Sequence, residues 1–191
     1  PEITLRLFLQ ASQVINNIDN NADLEDLAYD FISTSLIIYQ DELSDSDEKL
    51  RAIKLIVSTI SHLQWFDNDN YDTLASNAAQ YCNKLLKKPD QCESITLSAH
   101  MFTNKRYENS GSLKKCFAKC LKTATAWMKD VENLYLLVNI LNKYIYFYMV
   151  DTDQVTLSDI TKLIDLIKEN ITQIKAEGKL ERSKPSIKYF D

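Results

Sequence analysis

Asn83-Lys84-Leu85-Leu86-Lys87-Lys88-Pro89-Asp90-Gln91 decides the fold, because in nine residues it closes one helix and opens another. The basic segment ends an apolar, Ala- and Ser-rich helix expected from about Tyr71 to Leu86. Pro89 suits the first turn of the next helix, where its missing N–H leaves no bond unmade. That next helix fades near Phe102, since Asn104 to Ser112 contains Asn, Ser and one of only two glycines.

Working outward toward the N-terminus, Leu5, Phe8, Leu9, Ser12 and Ile15 keep a three-to-four spacing and predict a first helix over 3–16. Asn21 is placed to cap a second helix with Asp23, Glu25 and Asp26 in its first turn, running to Leu43. Ser44 with Asp47 three residues on reads as the cap of a third helix, through Leu50, Ile53, Val57, Ile60 and Leu63. Toward the C-terminus, Ser112 opens a sixth helix with Leu113, Phe117, Leu121, Ala124 and Met128 inward and Lys115, Lys119 and Lys122 outward. The seventh, Val131 to Val150, is apolar almost all round and is expected to meet neighbours on more than one side. Thr156 with Asp159 caps an eighth through Leu157, Ile160, Ile164, Ile167 and Ile171. The expected architecture is all-α: a HEAT-like α-solenoid of about eight helices in four antiparallel hairpins over 1–176, followed by a polar tail or linker at 177–191. Boundaries near Ser44, Pro89 and Asp130 recur at about 40 to 45 residues, the HEAT and armadillo range. A closed helical bundle is the alternative.

Composition agrees. Two Gly and three Pro in 191 residues leave little for hairpin turns or phosphate-cradling loops, and 45% apolar residues supply a core. A net charge of −5 argues against nucleic acid and anionic lipid and favours protein partners. Asn139, Asn142 and Lys143 interrupt the longest apolar run, so it reads as a buried helix and not a membrane span. The chain opens at Pro1 instead of Met and is expected to be a piece of a longer protein.

A search for chemistry finds no catalytic set. His62 and His100 sit in no Glu-x-x-His arrangement, and no Gly-x-Ser-x-Gly elbow, Walker loop or dinucleotide fingerprint occurs. Cys82, Cys92, Cys116 and Cys120 read as free thiols and not zinc ligands. The expectation is a non-enzyme without metal or cofactor. The carboxylates Asp41, Glu42, Asp45, Asp47 and Glu48 lack an EF-hand's Gly and final Glu. Antiparallel helices place alternate connections on one edge, so this acidic turn and the Lys84, Lys87, Lys88 turn become neighbours. A two-fold partner is able to match Asp41 and Glu42 to those lysines; an ion pair within the chain is the competing reading.

Leu7-Phe8-Leu9-Gln10, Tyr39 to Ser46, Leu85-Leu86-Lys87-Lys88-Pro89-Asp90-Gln91 and Leu141-Asn142-Lys143-Tyr144-Ile145-Tyr146-Phe147-Tyr148 stand in the order found in the C-terminal part of the large α-solenoid (vacuolar protein sorting) subunit of retromer, which the chain resembles from Ile3 to about Ala176. Retromer is an endosomal cargo-sorting coat. The resemblance implies a scaffold, cytoplasmic and peripheral on endosomal membranes, that clasps a phosphoesterase-like small subunit. It implies a weak homodimer of coat units, indirect engagement of sorting nexins and cargo, and a third subunit held only by an N-terminal part outside this sequence. On that basis His100, Met101 and Phe102 are expected at the small-subunit surface, with a capping His and a core Phe as the alternative. Tyr144, Tyr146 and Tyr148 alternate too tightly for one helical face; they are expected partly to fill the next layer and partly to line that surface. A helical-repeat adaptor or transport-receptor module that binds a peptide in its groove is the other function class.

Overall fold

The computed structural model describes residues 1–18, 24–107, 112–126, 131–150 and 153–177. Eight α-helices carry them, with no strand among the described residues: α1 Glu2–Asn16, α2 Glu25–Asp41, α3 Ser46–Ser61, α4 Asn68–Asn83, α5 Lys88–Ser98, α6 Ser112–Thr125, α7 Val131–Met149 and α8 Leu157–Ala176. A 3-10 turn, Ala99–Thr103, continues α5. Contacts divide the chain into two compact units, Pro1–Cys116 and a second beginning at Phe117.

In the first unit, α1 packs on α2, α3 on α4 and α4 on α5, while α1 also meets α3, α3 meets α5 and α2 meets α4. Contacts between every second helix sort α1, α3 and α5 into one layer and α2 and α4 into the other, which is the all-α solenoid arrangement of stacked hairpins. The centre is α3. Its Ala52, Ile53, Ile56 and Ile60 are wholly inaccessible to solvent, and each of the three isoleucines contributes about 1.5–3 kcal/mol of burial. Small residues let α4 approach closely, with Ala75 and Ala78 fully buried.

Several boundaries differ from the sequence expectation, each for a local reason. The cap of α3 is Asp45, not Ser44: its carboxylate accepts from the Asp47 and Glu48 amides, each at 2.9 Å. Asp67 likewise accepts from Asn70 N at 2.8 Å and starts α4 at Asn68, three residues before Tyr71. The end of α4 is Asn83 and not Leu86, because Lys87 is already extended to cap α5. Similarly α2 ends at Asp41, leaving Leu43 buried in the connection. Asn21, Asp23, Met128 and the segment 178–191 lie outside the described residues. Thr156 forms the expected capping box with Asp159, and Pro89 sits in the first turn of α5.

Little of α5 faces solvent, although its sequence is polar. Thr96 Oγ1 donates to the Cys92 and Glu93 carbonyls and Ser98 Oγ to the Ile95 carbonyl, which satisfies hydroxyls that would otherwise be stranded in the core. The four cysteines are unbridged.

The second unit contains most of α6, with α7 and α8. Phe117 packs against Tyr144, with ring centroids 4.1 Å apart, and against Phe147 at 5.6 Å edge-on. Ile160, Leu163, Ile167 and Ile174 form the buried stripe of α8, while Leu157 is exposed. Buried Leu134, Leu137, Ile140, Tyr144 and Phe147 define one face of α7; Ile145, Tyr146, Tyr148 and Met149 are exposed near its C-terminal end. Among the described residues no helix is long and apolar enough to cross a membrane.

Candidate protein-binding edge

Connections of the first unit gather on two edges. On one, Asn16 at the end of α1 donates to the His62 carbonyl at 3.1 Å and accepts from Gln64 N at 2.8 Å. Asn104 donates to the Leu63 carbonyl, and Arg106 donates to the Gln64 carbonyl while its guanidinium lies over the Trp65 ring. Tyr71 and Tyr107 stack with centroids 3.6 Å apart; the Tyr71 hydroxyl donates to the Met101 carbonyl at 2.7 Å, and the Tyr107 hydroxyl accepts from Phe66 N. Burial drives the Tyr71 hydroxyl pKa far above its ordinary value.

That network determines how the expected His100, Met101 and Phe102 surface is built. Met101 is wholly buried and Phe102 nearly so, so neither side chain presents a surface, a correction to the expectation. Both lie in the 3-10 turn among its buried residues, and the Met101 carbonyl accepts from the Tyr71 hydroxyl. His100, half-buried, is the accessible one of the three.

The opposite edge joins the α2–α3 and α4–α5 connections, as the alternation of hairpins predicts. Lys87 Nζ donates to Asp47 Oδ1 at 2.7 Å, and Gln91 Nε2 reaches back to the Asn83 carbonyl. Lys87 holds the Asp47 carboxyl below the usual aspartate range, first through this hydrogen bond and then through its charge. Lys84 extends over the Tyr81 ring, with Nζ 5.5 Å from the centroid. Asp41, Glu42, Lys84, Lys87 and Lys88 are all exposed. The edge therefore gathers all five expected residues, and it contains an internal ion pair as well.

Between these two connections lies an open cleft of about 350 Å³. Tyr39 and Tyr81 face each other there at 5.1 Å, and Lys49 lies over Tyr39 as Lys84 lies over Tyr81. Burial, followed by the charges of Cys82 and Tyr81, pushes the Tyr39 hydroxyl up to about 12. The reading of the sequence passed over Lys49, Tyr39 and Tyr81 as site residues, because they come from three different helices, α3, α2 and α4, that no local pattern links. In the second unit, Tyr144 is buried against Phe117, whereas Tyr146 and Tyr148 are 48% and 45% exposed. Among the described residues no three His, Cys, Asp or Glu side chains group to hold a metal ion.

The sequence profile of vacuolar protein sorting-associated protein 35 matches residues 1–170. The chain belongs to that family. It is 33% identical over 178 residues to vacuolar protein sorting-associated protein 35A of Arabidopsis thaliana, covering 88% of this chain and 22% of the relative. The Schizosaccharomyces pombe protein 35 is 31% identical over 180 residues, 91% of this chain and 21% of the relative. That of Dictyostelium discoideum is 26% identical over 194 residues, 99% and 24% respectively. The chain thus spans about a fifth to a quarter of the length of these members of the vacuolar protein sorting-associated protein 35 family.

Proposed function

We propose that the chain is part of a non-catalytic scaffold of the retromer coat, peripheral on endosomal membranes, that clasps a phosphoesterase-like small subunit and supports pairing of coat units in retrograde protein transport. The observation that carries this reading is family membership across residues 1–170. The exposed aromatic end of α7, Tyr146 and Tyr148, supplies one contact for the small subunit, since large amphipathic rings at a surface are what protein interfaces enrich. In the other unit His100 supplies a separate contact, with Met101 and Phe102 holding its turn in place from within. The third subunit belongs to another part of the longer protein, and sorting nexins and cargo are engaged indirectly.

The edge bearing Asp41, Glu42, Lys84, Lys87 and Lys88 is the pairing surface of a weak homodimer. Opposite charges on one edge allow an isologous contact in which each copy offers both signs. Because the groups are exposed, salt screens the attraction and the pairing is transient.

Affinity purification of the full-length protein from its own cells, followed by mass spectrometry, tests the scaffold reading. A stoichiometric small subunit of phosphoesterase-like fold is the expected result. A varied set of substoichiometric partners would overturn it in favour of a helical-repeat adaptor that binds peptides along its groove.

A further inference from the structure

Ser44 is left without the role that its place in the chain suggests. Asp45 takes the first amides of α3, at 2.9 Å each, so the Ser44 hydroxyl stands exposed in the short connection between Asp41 and Ser46 and caps nothing. Its neighbours in the sequence point to another role. Asp45 follows it directly, Asp47 lies three residues on and Glu48 four, with Asp41 and Glu42 just upstream. A serine followed by carboxylates at those positions fits the basic substrate groove of an acid-directed protein kinase. Ser46 fits it less well, since it is half-buried and has Lys49 three residues on. Ser44, Asp45 and Asp47 are all exposed, and the first turn of a helix frays at small cost, so the segment is open to an enzyme.

The cleft beside the connection suits the product. Ser44, Lys49 and Lys84 all line it, and no carboxylate shares the lining. The two ammonium groups lie over the Tyr39 and Tyr81 rings, 5.6 Å and 5.5 Å from the centroids, which holds them at the cleft without giving either a counter-ion. A volume of about 350 Å³ has room for a phosphate. A phosphoserine carries about −1.5 to −2 charges and three strong acceptor oxygens. Repulsion from Asp41, Glu42 and Asp45 drives that group off the acidic turn, while Lys49 and Lys84 offer it charge-assisted hydrogen bonds.

We propose that Ser44 is a phosphorylation site whose phosphate is received by Lys49 and Lys84 in the adjoining cleft. In the modifying step Ser44 Oγ attacks the γ-phosphorus of ATP. The new O–P bond forms as the bond from that phosphorus to the β,γ-bridging oxygen breaks, ADP leaves, and the serine proton passes to the catalytic base of the kinase. The phosphate then ties the α2–α3 connection to Lys84 at the end of α4 and turns a cationic cleft anionic, which closes it to acidic ligands. The device acts within one chain and does not depend on the pairing proposed above.

Treatment of the full-length protein with ATP and a purified acid-directed serine kinase, with Ser44→Ala in parallel, tests the site. Peptide mass spectrometry is expected to find phosphate on Ser44 of the wild type and none on this segment of the variant. Phosphate on Ser46 instead, or none on the segment in the wild type, would overturn the proposal. Acylation by an N-hydroxysuccinimide ester then reads the receptor, because a lysine paired with phosphate keeps its proton and reacts slowly. Lys49 and Lys84 are expected to label about three- to tenfold more slowly after phosphorylation, the equivalent of a shift of up to about one pK unit, while exposed Lys115 on α6 is unchanged. Circular dichroism verifies that the phosphorylated protein keeps its helices. Unchanged labelling of Lys49 and Lys84, or equal slowing at Lys115, would overturn the cleft as the receptor.

Discussion

Lys87 donates to Asp47 across 2.7 Å, from the N-terminal cap of α5 to the first turn of α3, and so fastens two connections that are 40 residues apart in the chain. Within the basic turn, Lys87 is thus held by a carboxylate, whereas Lys84 lies over the Tyr81 ring. It also fixes a pH dependence. Asp47 has a lowered folded-state pKa, so its contribution to stability is present above the ordinary aspartate range and is lost as pH falls through the lowered value. Carboxyl NMR titration is expected to place the Asp47 midpoint below that of an ordinary aspartate, and Lys87→Ala to move it upward. An unchanged midpoint in the variant would show that the pair does not form in solution.

Tyr71→Phe removes the donor to the buried Met101 carbonyl while keeping the ring stacked on Tyr107. Leaving that acceptor unsatisfied costs about 1–3 kcal/mol. Denaturant unfolding should show a lower midpoint with an unchanged slope, and the 3-10 turn carrying His100 should exchange its amide hydrogens faster than α3.

Asp45→Ala is expected to cost about 1 kcal/mol, because it removes the acceptor for two amides at the start of α3. Ser44→Ala should lie within about 0.5 kcal/mol of the wild type, as an exposed surface substitution away from the cap. Thermal melts of the two variants separate the two residues as candidate caps; equal losses would contradict the assignment to Asp45.

Burial pushes the Tyr39 and Tyr144 hydroxyls up to about 12 and that of Tyr71 higher still, all above the ordinary tyrosine value. Between about pH 10 and 12 the unfolded chain releases these protons while the folded chain retains them. Stability that is complete below the ordinary value is therefore lost as pH rises. Tyrosinate absorbance and circular dichroism followed together should show a late-ionising group whose titration coincides with loss of helix; simultaneous ionisation near pH 10 with helix retained would contradict the buried placements.

What the sequence reveals of this molecule follows from how far apart the interacting groups are. Thr156 and Asp159 are three residues apart and form the expected box, and Pro89 marks the start of α5 by its own ring. Ser44-x-x-Asp47 and Asp45-x-x-Glu48 are overlapping frames of the same signal, and only the bonded amides choose between them. The Tyr71–Tyr107 stack joins residues without any local pattern linking them, and the bond from the Tyr71 hydroxyl to the Met101 carbonyl is equally non-local. The tyrosines of α7 are a middle case: helical angle alone requires that Tyr144 and Tyr146 point to different sides, but it takes Phe117 to show which one is buried. The edge of charges was legible because hairpin alternation places its turns together; the cleft within it was not, since its tyrosines come from two helices of the other layer.

The proposed role as part of a scaffold for a phosphoesterase-like small subunit is open to direct measurement. Isothermal titration of that purified subunit into the full-length protein, with a folded Tyr146→Asp and Tyr148→Asp variant alongside, measures it directly. Expected is saturable one-to-one binding to the wild type, reduced at least about tenfold in the variant, as loss of interface aromatics brings. Absence of saturable binding to the folded wild-type protein would contradict the claim.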